Sequence, residues 1–235
     1  MKERPILFST SMVQAIMAGR KTQTRRIIKP QPSKQWAVDK WAKDGPGSVG
    51  ASDLTAADME IDSLFCNPKY GKGDVLWVRE TWTKGCEWDG EGRLPPLRYY
   101  FRASEDWTKL EWWHEETDTI TCSPKWKPSI HMPKAAARIY LQVADVRIER
   151  LQDISEEDAA AEGVESEFDT YRDYHFKDSL GSFVLDTPKS SFTTLWESIN
   201  GLDSWNQNPF VWVVSFRILS TTGRPENLEE LCQAK

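Results

Sequence analysis

The sequence predicts an α+β fold, a small mixed β-barrel with flanking helices, interrupted by two long insertions. Three observations point to it. β-Type runs open and close the chain, at residues 5–8 and 210–219. Short helix-like segments sit at strand junctions, after residue 9 and after residue 155. Two stretches without sustained periodicity, about 31–70 and 84–130, break the pattern and read as additions. Closing the sheet on itself is the expected way to hide its edges.

Residues 5–8 (PILF) read as a short apolar strand. Ser9, Thr10 and Ser11 offer N-caps to a helix, MVQAIMA, that Gly19 ends. Met12, Ala15, Ile16 and Met17 give that helix one apolar face. The run RKTQTRRII at 20–28 reads as a strand or extended loop leaving the helix. Turn chemistry in Gly71-Lys72-Gly73-Asp74 leads into a strand at 75–82, and RYYFRAS at 98–104 is another. Residues 105–129 read as a Trp-rich connection. The clearest strand is 137–149, where Ile139, Leu141 and Val143 alternate with Arg138, Tyr140 and Gln142. Ser155 caps a helix, EEDAAAEG, whose first turn is acidic and which Gly163 ends. A helix at 191–200 and the strand at 210–219 complete one domain over residues 1–222. Residues 223–235 form a polar tail.

The formal net charge of −6 argues against a protein coated in positive charge. Residues 1–30 nevertheless carry Lys2, Arg4, Arg20, Lys21, Arg25, Arg26 and Lys29 against Glu3 alone, a focused anion site rather than a duplex-binding surface. The 12 tryptophans exceed ordinary usage, and most are assigned to the core. Cys66, Cys86, Cys122 and Cys232 form no C-x-x-C pair. With no secretory signal and no long apolar run, the expectation is a cytoplasmic protein with free thiols and no membrane partner. No cofactor is expected, and the cysteines with His114, His131 and His175 lack metal-ligand spacing. Neither G-x-S-x-G nor a P-loop is present. Nothing in the pattern sets an oligomeric state.

The densest chemical signal is GRKTQTRR at 19–26. In a strand, residues 21, 23 and 25 face one way and 20, 22, 24 and 26 the other. With this composition at least one face is expected to line water or an anionic ligand. It is either a solvated basic edge or a phosphate- or base-contacting one.

That run, following a short amphipathic helix, resembles the opening motif of ASCH-domain proteins, relatives of the PUA RNA-binding fold. Gly73-Asp74-Val75-Leu76-Trp77-Val78-Arg79-Glu80-Thr81-Trp82, the 138–143 strand, the 154–164 helix and the 210–218 strand are similar to the same family, in the same order. The resemblance spans nearly the whole chain, and the long form resembles members encoded by phages and prophages. It implies a PUA-like barrel. One branch of the family hydrolyses N(4)-acetylcytidine at its exocyclic amide, and the resemblance implies a Lys, a Thr and a Glu working together, carried here by Lys21, Thr24 and Glu162.

Residue chemistry supports such a trio. A Thr hydroxyl becomes a nucleophile when a base takes its proton, and a Lys serves as that base when burial or nearby cations lower its pKa. A carboxylate can then hold the ammonium and relay a proton to the leaving amine. Lys21 and Thr24 are three apart, so a bend or bulge is needed to bring them onto one face. Arg20, Arg25, Arg26, Arg79, Glu80, Trp82 and His131 are candidates for contacting the ligand, with Glu80 also a candidate to pair with Lys21 or Arg25. The expected partner is a modified nucleoside or RNA, with DNA open. A non-catalytic RNA or modified-base reader and a metal-independent ribonuclease are the alternatives.

Overall fold

The computed structural model describes residues 1–29, 31, 68–87, 97–104, 112–114, 119–121, 124–168, 174–177, 183–185 and 187–233. Most of the expected 31–70 insertion lies outside these residues. The fold is mixed α+β. In chain order it comprises β1 (Glu3–Leu7), α1 (Thr10–Met17), β2 (Gln23–Ile27), β3 (Val75–Arg79), β4 (Trp82–Glu87) and β5 (Arg98–Phe101). There follow β6 (Trp112–His114), β7 (Thr119–Thr121), β8 (Tyr140–Arg150), α2 (Glu156–Ala161), β9 (Ser166–Phe168) and β10 (Tyr174–Lys177). The last elements are β11 (Phe183–Leu185), α3 (Pro188–Asn200), β12 (Phe210–Ser220) and α4 (Leu228–Gln233).

A five-stranded sheet runs in the order β1-β3-β8-β12-β2. Among the described residues this order is open and does not close into the expected barrel. Pro5, which has no N–H to donate, suits β1 to an edge. The contacts divide the chain into two compact units, and β8 and β12 contribute residues to both.

The first unit contains residues 1–18, 75–141 and 218–235. β1 and β3 pair in parallel, Glu3 opposite Val75 through Leu7 opposite Arg79. The expected 75–82 strand is interrupted after Arg79, and β4 then leads a second sheet of order β5-β4-β6-β7. The stretch read as a Trp-rich connection therefore holds two short strands, β6 and β7. Val75, Trp82, Met132, Ala136, Ala137 and Tyr140 form this unit's core. Leu228 of α4 joins them at 1% exposure, so the tail is not wholly peripheral. Leu228, Leu231 and Cys232 stand at helical spacing, but a six-residue helix is too short to leave a periodic signature.

The second unit contains residues 19–74 and 142–217. β2 pairs antiparallel with β12, Ile27 opposite Val211 through Gln23 opposite Ser215. Leu151, Ile154, Ala159, Phe192, Trp196, Val211 and Val213 make its main core. β9, β10 and β11 form a small antiparallel sheet that periodicity did not announce. α3 starts earlier than expected because Thr187 and Ser190 cap one another and Pro188 is preset for a first turn. α2 starts where the Ser155 hydroxyl accepts from the Asp158 amide at 3.1 Å. Ser155→Ala is expected to cost about 1 kcal/mol, read as a lower denaturant midpoint. Past the end of β2, the Gln31 carboxamide donates to the carbonyls of Ile28 and Phe210 at 2.7 and 3.0 Å and accepts from the Phe210 amide at 2.7 Å. Among the described residues no helix is long and apolar enough to cross a membrane.

Candidate functional site

Within the second unit, the segment between α1 and β2 is stitched on both sides. The Thr22 amide donates to the Ala161 carbonyl at 2.9 Å, and the Phe216 amide donates to the Thr22 carbonyl at 2.8 Å. Lys21 and Glu162 form an antiparallel bridge. This backbone pairing fixes Lys21 against the end of α2. There Gly163, at φ +89, takes a left-handed conformation that a Cβ would resist, leaving Glu162 as the C-cap.

The two side chains meet. Lys21 Nζ donates to Glu162 Oε2 at 2.7 Å and to the Glu162 carbonyl at 2.8 Å. Lys21 is 0% exposed and Glu162 3%. A carboxylate at the negative end of a helix is electrostatically disfavoured, so its placement depends on the cations beside it. The second cation is Arg25. Its Nη1 donates to Glu162 Oε1 at 3.3 Å, and its Nη2 to Glu149 Oε2 at 3.0 Å and Asp158 Oδ2 at 2.8 Å. Arg147 donates to Glu149 and Asp158 as well, and Gln23 Nε2 donates to the Asp158 carbonyl at 2.7 Å.

This network explains a departure from the sequence reading. Thr24 as well as Gln23 and Arg25 is buried, so both faces of β2 are covered there, where at least one was expected to line water or an anionic ligand. Three carboxylates neutralise Lys21, Arg25 and the partly exposed Arg147, which makes burial of Lys21 and Arg25 tolerable. Desolvation pushes the Lys21 ammonium below the usual lysine value; Glu162 opposes this, and Arg26 and Arg25 add to the lowering. Burial works to raise the Asp158 pKa, but the Arg25 hydrogen bond and its companions outweigh it and hold the carboxyl below its usual range.

Thr24 stands apart from the pair. The β2 register against β12 runs unbroken, with Thr24 opposite Val214, so no bulge re-aims it. It alternates with Gln23 and Arg25 and leaves the sheet on the other face. At 2% exposure, its hydroxyl has no hydrogen bond to Lys21 or Glu162 among the described residues. Arg20 pairs with Glu165 at 3.3 Å, and Arg26 lies opposite Trp212. Glu149, Arg147, Asp158 and Gln23 were not anticipated. The period of β8 puts Arg147 and Glu149 on one face, and Asp158 of α2 and its C-cap Glu162 are four apart, a spacing that shares a helix face.

The remaining candidates belong to the first unit. Glu80, 1% exposed, pairs with Arg138 rather than Lys21 or Arg25: both contacts of this two-pronged ion pair are 2.9 Å. Arg138 also donates to Ser104 Oγ at 2.8 Å and sits 4.3 Å from the Phe101 ring centroid. Arg79 donates to the Met132 and Ile130 carbonyls and lies over Trp77. Trp82 is in the core, its buried indole N–H without a hydrogen-bond partner among the described residues, with Lys127 over the ring. His131 is exposed at the end of a 3-10 turn.

No family model, curated protein or solved structure matches the chain. Among the described residues no group of three His, Cys, Asp or Glu is placed to hold a metal ion.

Proposed function

We propose that the chain is an ASCH-type, PUA-like protein that processes a modified nucleoside, hydrolysing the acyl amide of N(4)-acetylcytidine or a related acylated cytosine amine. The observation that carries this reading is the buried Lys21–Glu162 pair, an ammonium held below its usual pKa against a carboxylate. As a free amine, Lys21 is the base that takes the proton of the attacking nucleophile. Glu162 then holds the resulting ammonium while the proton passes to the departing exocyclic nitrogen as the C–N bond breaks.

Two routes share this pair. In one, the Thr24 oxygen attacks the amide carbonyl, and water later releases acetate from the acyl-threonine. In the other, Lys21 activates water directly. The first requires a local change in the β2 backbone, since Thr24 leaves the strand on the other face, so the Thr24→Ala variant separates the routes. An RNA reader with Arg25 as a phosphate donor is less well supported, since this guanidinium is already engaged by three carboxylates.

Incubation with N(4)-acetylcytidine is expected to release cytidine and acetate. Lys21→Ala should lower kcat/KM by about 10²–10⁴-fold. Absence of turnover by the wild type overturns the reading. RNA shortened by the wild type but not by Lys21→Ala would replace it with the nuclease.

A further inference from the structure

Glu162 presents its two oxygens to different cations, Oε2 to Lys21 Nζ at 2.7 Å and Oε1 to Arg25 Nη1 at 3.3 Å. Arg25 is itself anchored. Nη2 is held by Glu149 on β8 and Asp158 on α2, and the Phe192 ring of α3 lies 5.9 Å from the guanidinium carbon. Arg147 grips both of those carboxylates, so the anchor is a closed set of charges rather than a loose contact. The Arg25 side chain is 0% exposed. A rigid fork with this anchoring fixes a carboxylate's rotation in a way a single ammonium does not.

We propose that Arg25 is the positioning residue of the site: it holds the rotation of the Glu162 carboxylate so that one oxygen faces Lys21, and it places a fixed positive charge beside the pair. This rests on the reading of Lys21 and Glu162 as a proton-transfer pair. It changes the role expected of Arg25, which contacts a carboxylate here rather than a ligand. The charged groups in the network around Lys21 and Arg25 are Arg20, Arg25 and Arg26 on the chain entering and forming β2, Asp158 and Glu162 on α2, Glu165 beyond it, and Arg147 and Glu149 on β8.

The sign follows from charge. Removing a cation near Lys21 favours its protonated form, so the free amine appears only at higher pH. Arg25→Met is expected to move the acid limb of the kcat/KM profile toward alkaline pH, with KM unchanged. Arg25→Lys keeps the charge and loses the fork: the limb should stay in place while kcat falls roughly 10-fold, in the range of one lost positioning contact. A purely structural role would scale activity with the folded fraction at every pH and move no limb.

NMR titration of the Lys21 side chain in the wild type and both variants reads the same shift without substrate. Failed turnover by the wild type would therefore sink the hydrolase reading while the titration still judges Arg25. An unmoved Lys21 titration in folded Arg25→Met, or a KM increase matching the loss in kcat/KM, overturns the proposal. Should Arg25→Met not fold, Arg25→Lys decides: wild-type kcat in that variant overturns it.

Discussion

Glu162→Ala is expected to lower stability by about 3–5 kcal/mol, because it leaves the buried Lys21 ammonium without its carboxylate. The double variant Lys21→Met with Glu162→Leu should recover most of this, since apolar side chains of similar size remove the desolvation cost of both charges. Denaturant midpoints of the three proteins check it, and equal losses in the single and double variants would refute the pairing argument. The same pair gives a pH signature. Folded Lys21 loses its proton below the ordinary value of 10.5, so the unfolded chain binds more protons between the lowered folded pKa and 10.5. Stability from this group is therefore gained as pH climbs through that window and lost as pH falls below it. Lys21→Met should lack this alkaline gain.

Glu80→Ala is expected to lower stability by about 1.5–3 kcal/mol, because it removes both charged hydrogen bonds to the partly exposed Arg138 guanidinium. Its consequence for activity is the opposite. Glu80 sits in the other compact unit, paired on both oxygens with Arg138, so it has no part in the proposed proton transfer. Glu80→Gln should therefore retain wild-type turnover per folded molecule. Loss of turnover at full folding, measured by circular dichroism beside the assay, would return Glu80 to the chemistry.

Local signals were legible where a single residue does a local job. Ser9 and Ser155 cap α1 and α2 as their hydroxyls and positions predict, and Gly19 and Gly163 adopt the positive φ that ends them. The alternation of Ile139, Leu141 and Val143 marked β8, although the strand begins three residues later and continues to Arg150. β6, β7 and β9 through β11 have only three or four residues each, too few for alternation to rise above composition. Lys21 and Glu162 were named together through the family resemblance, and spacing alone would not have joined residues 141 apart. The charge network was illegible for a different reason. Arg25 read as a cation seeking an anionic ligand because nothing local reveals that Glu149 and Asp158 are its neighbours. Spacing arithmetic did anticipate the difficulty with Thr24, which the unbroken register of β2 leaves on the face away from Arg25.

The carboxamide of Gln31 acts as a surrogate peptide group, giving Phe210 a donor and an acceptor where the ladder would otherwise stop. A rung built from a side chain adds a contact to the β2–β12 pairing that one residue supplies. Length changes downstream of Gln31 can then accumulate without sliding β2 along β12, and the approach of Lys21 to Glu162 is insulated from them.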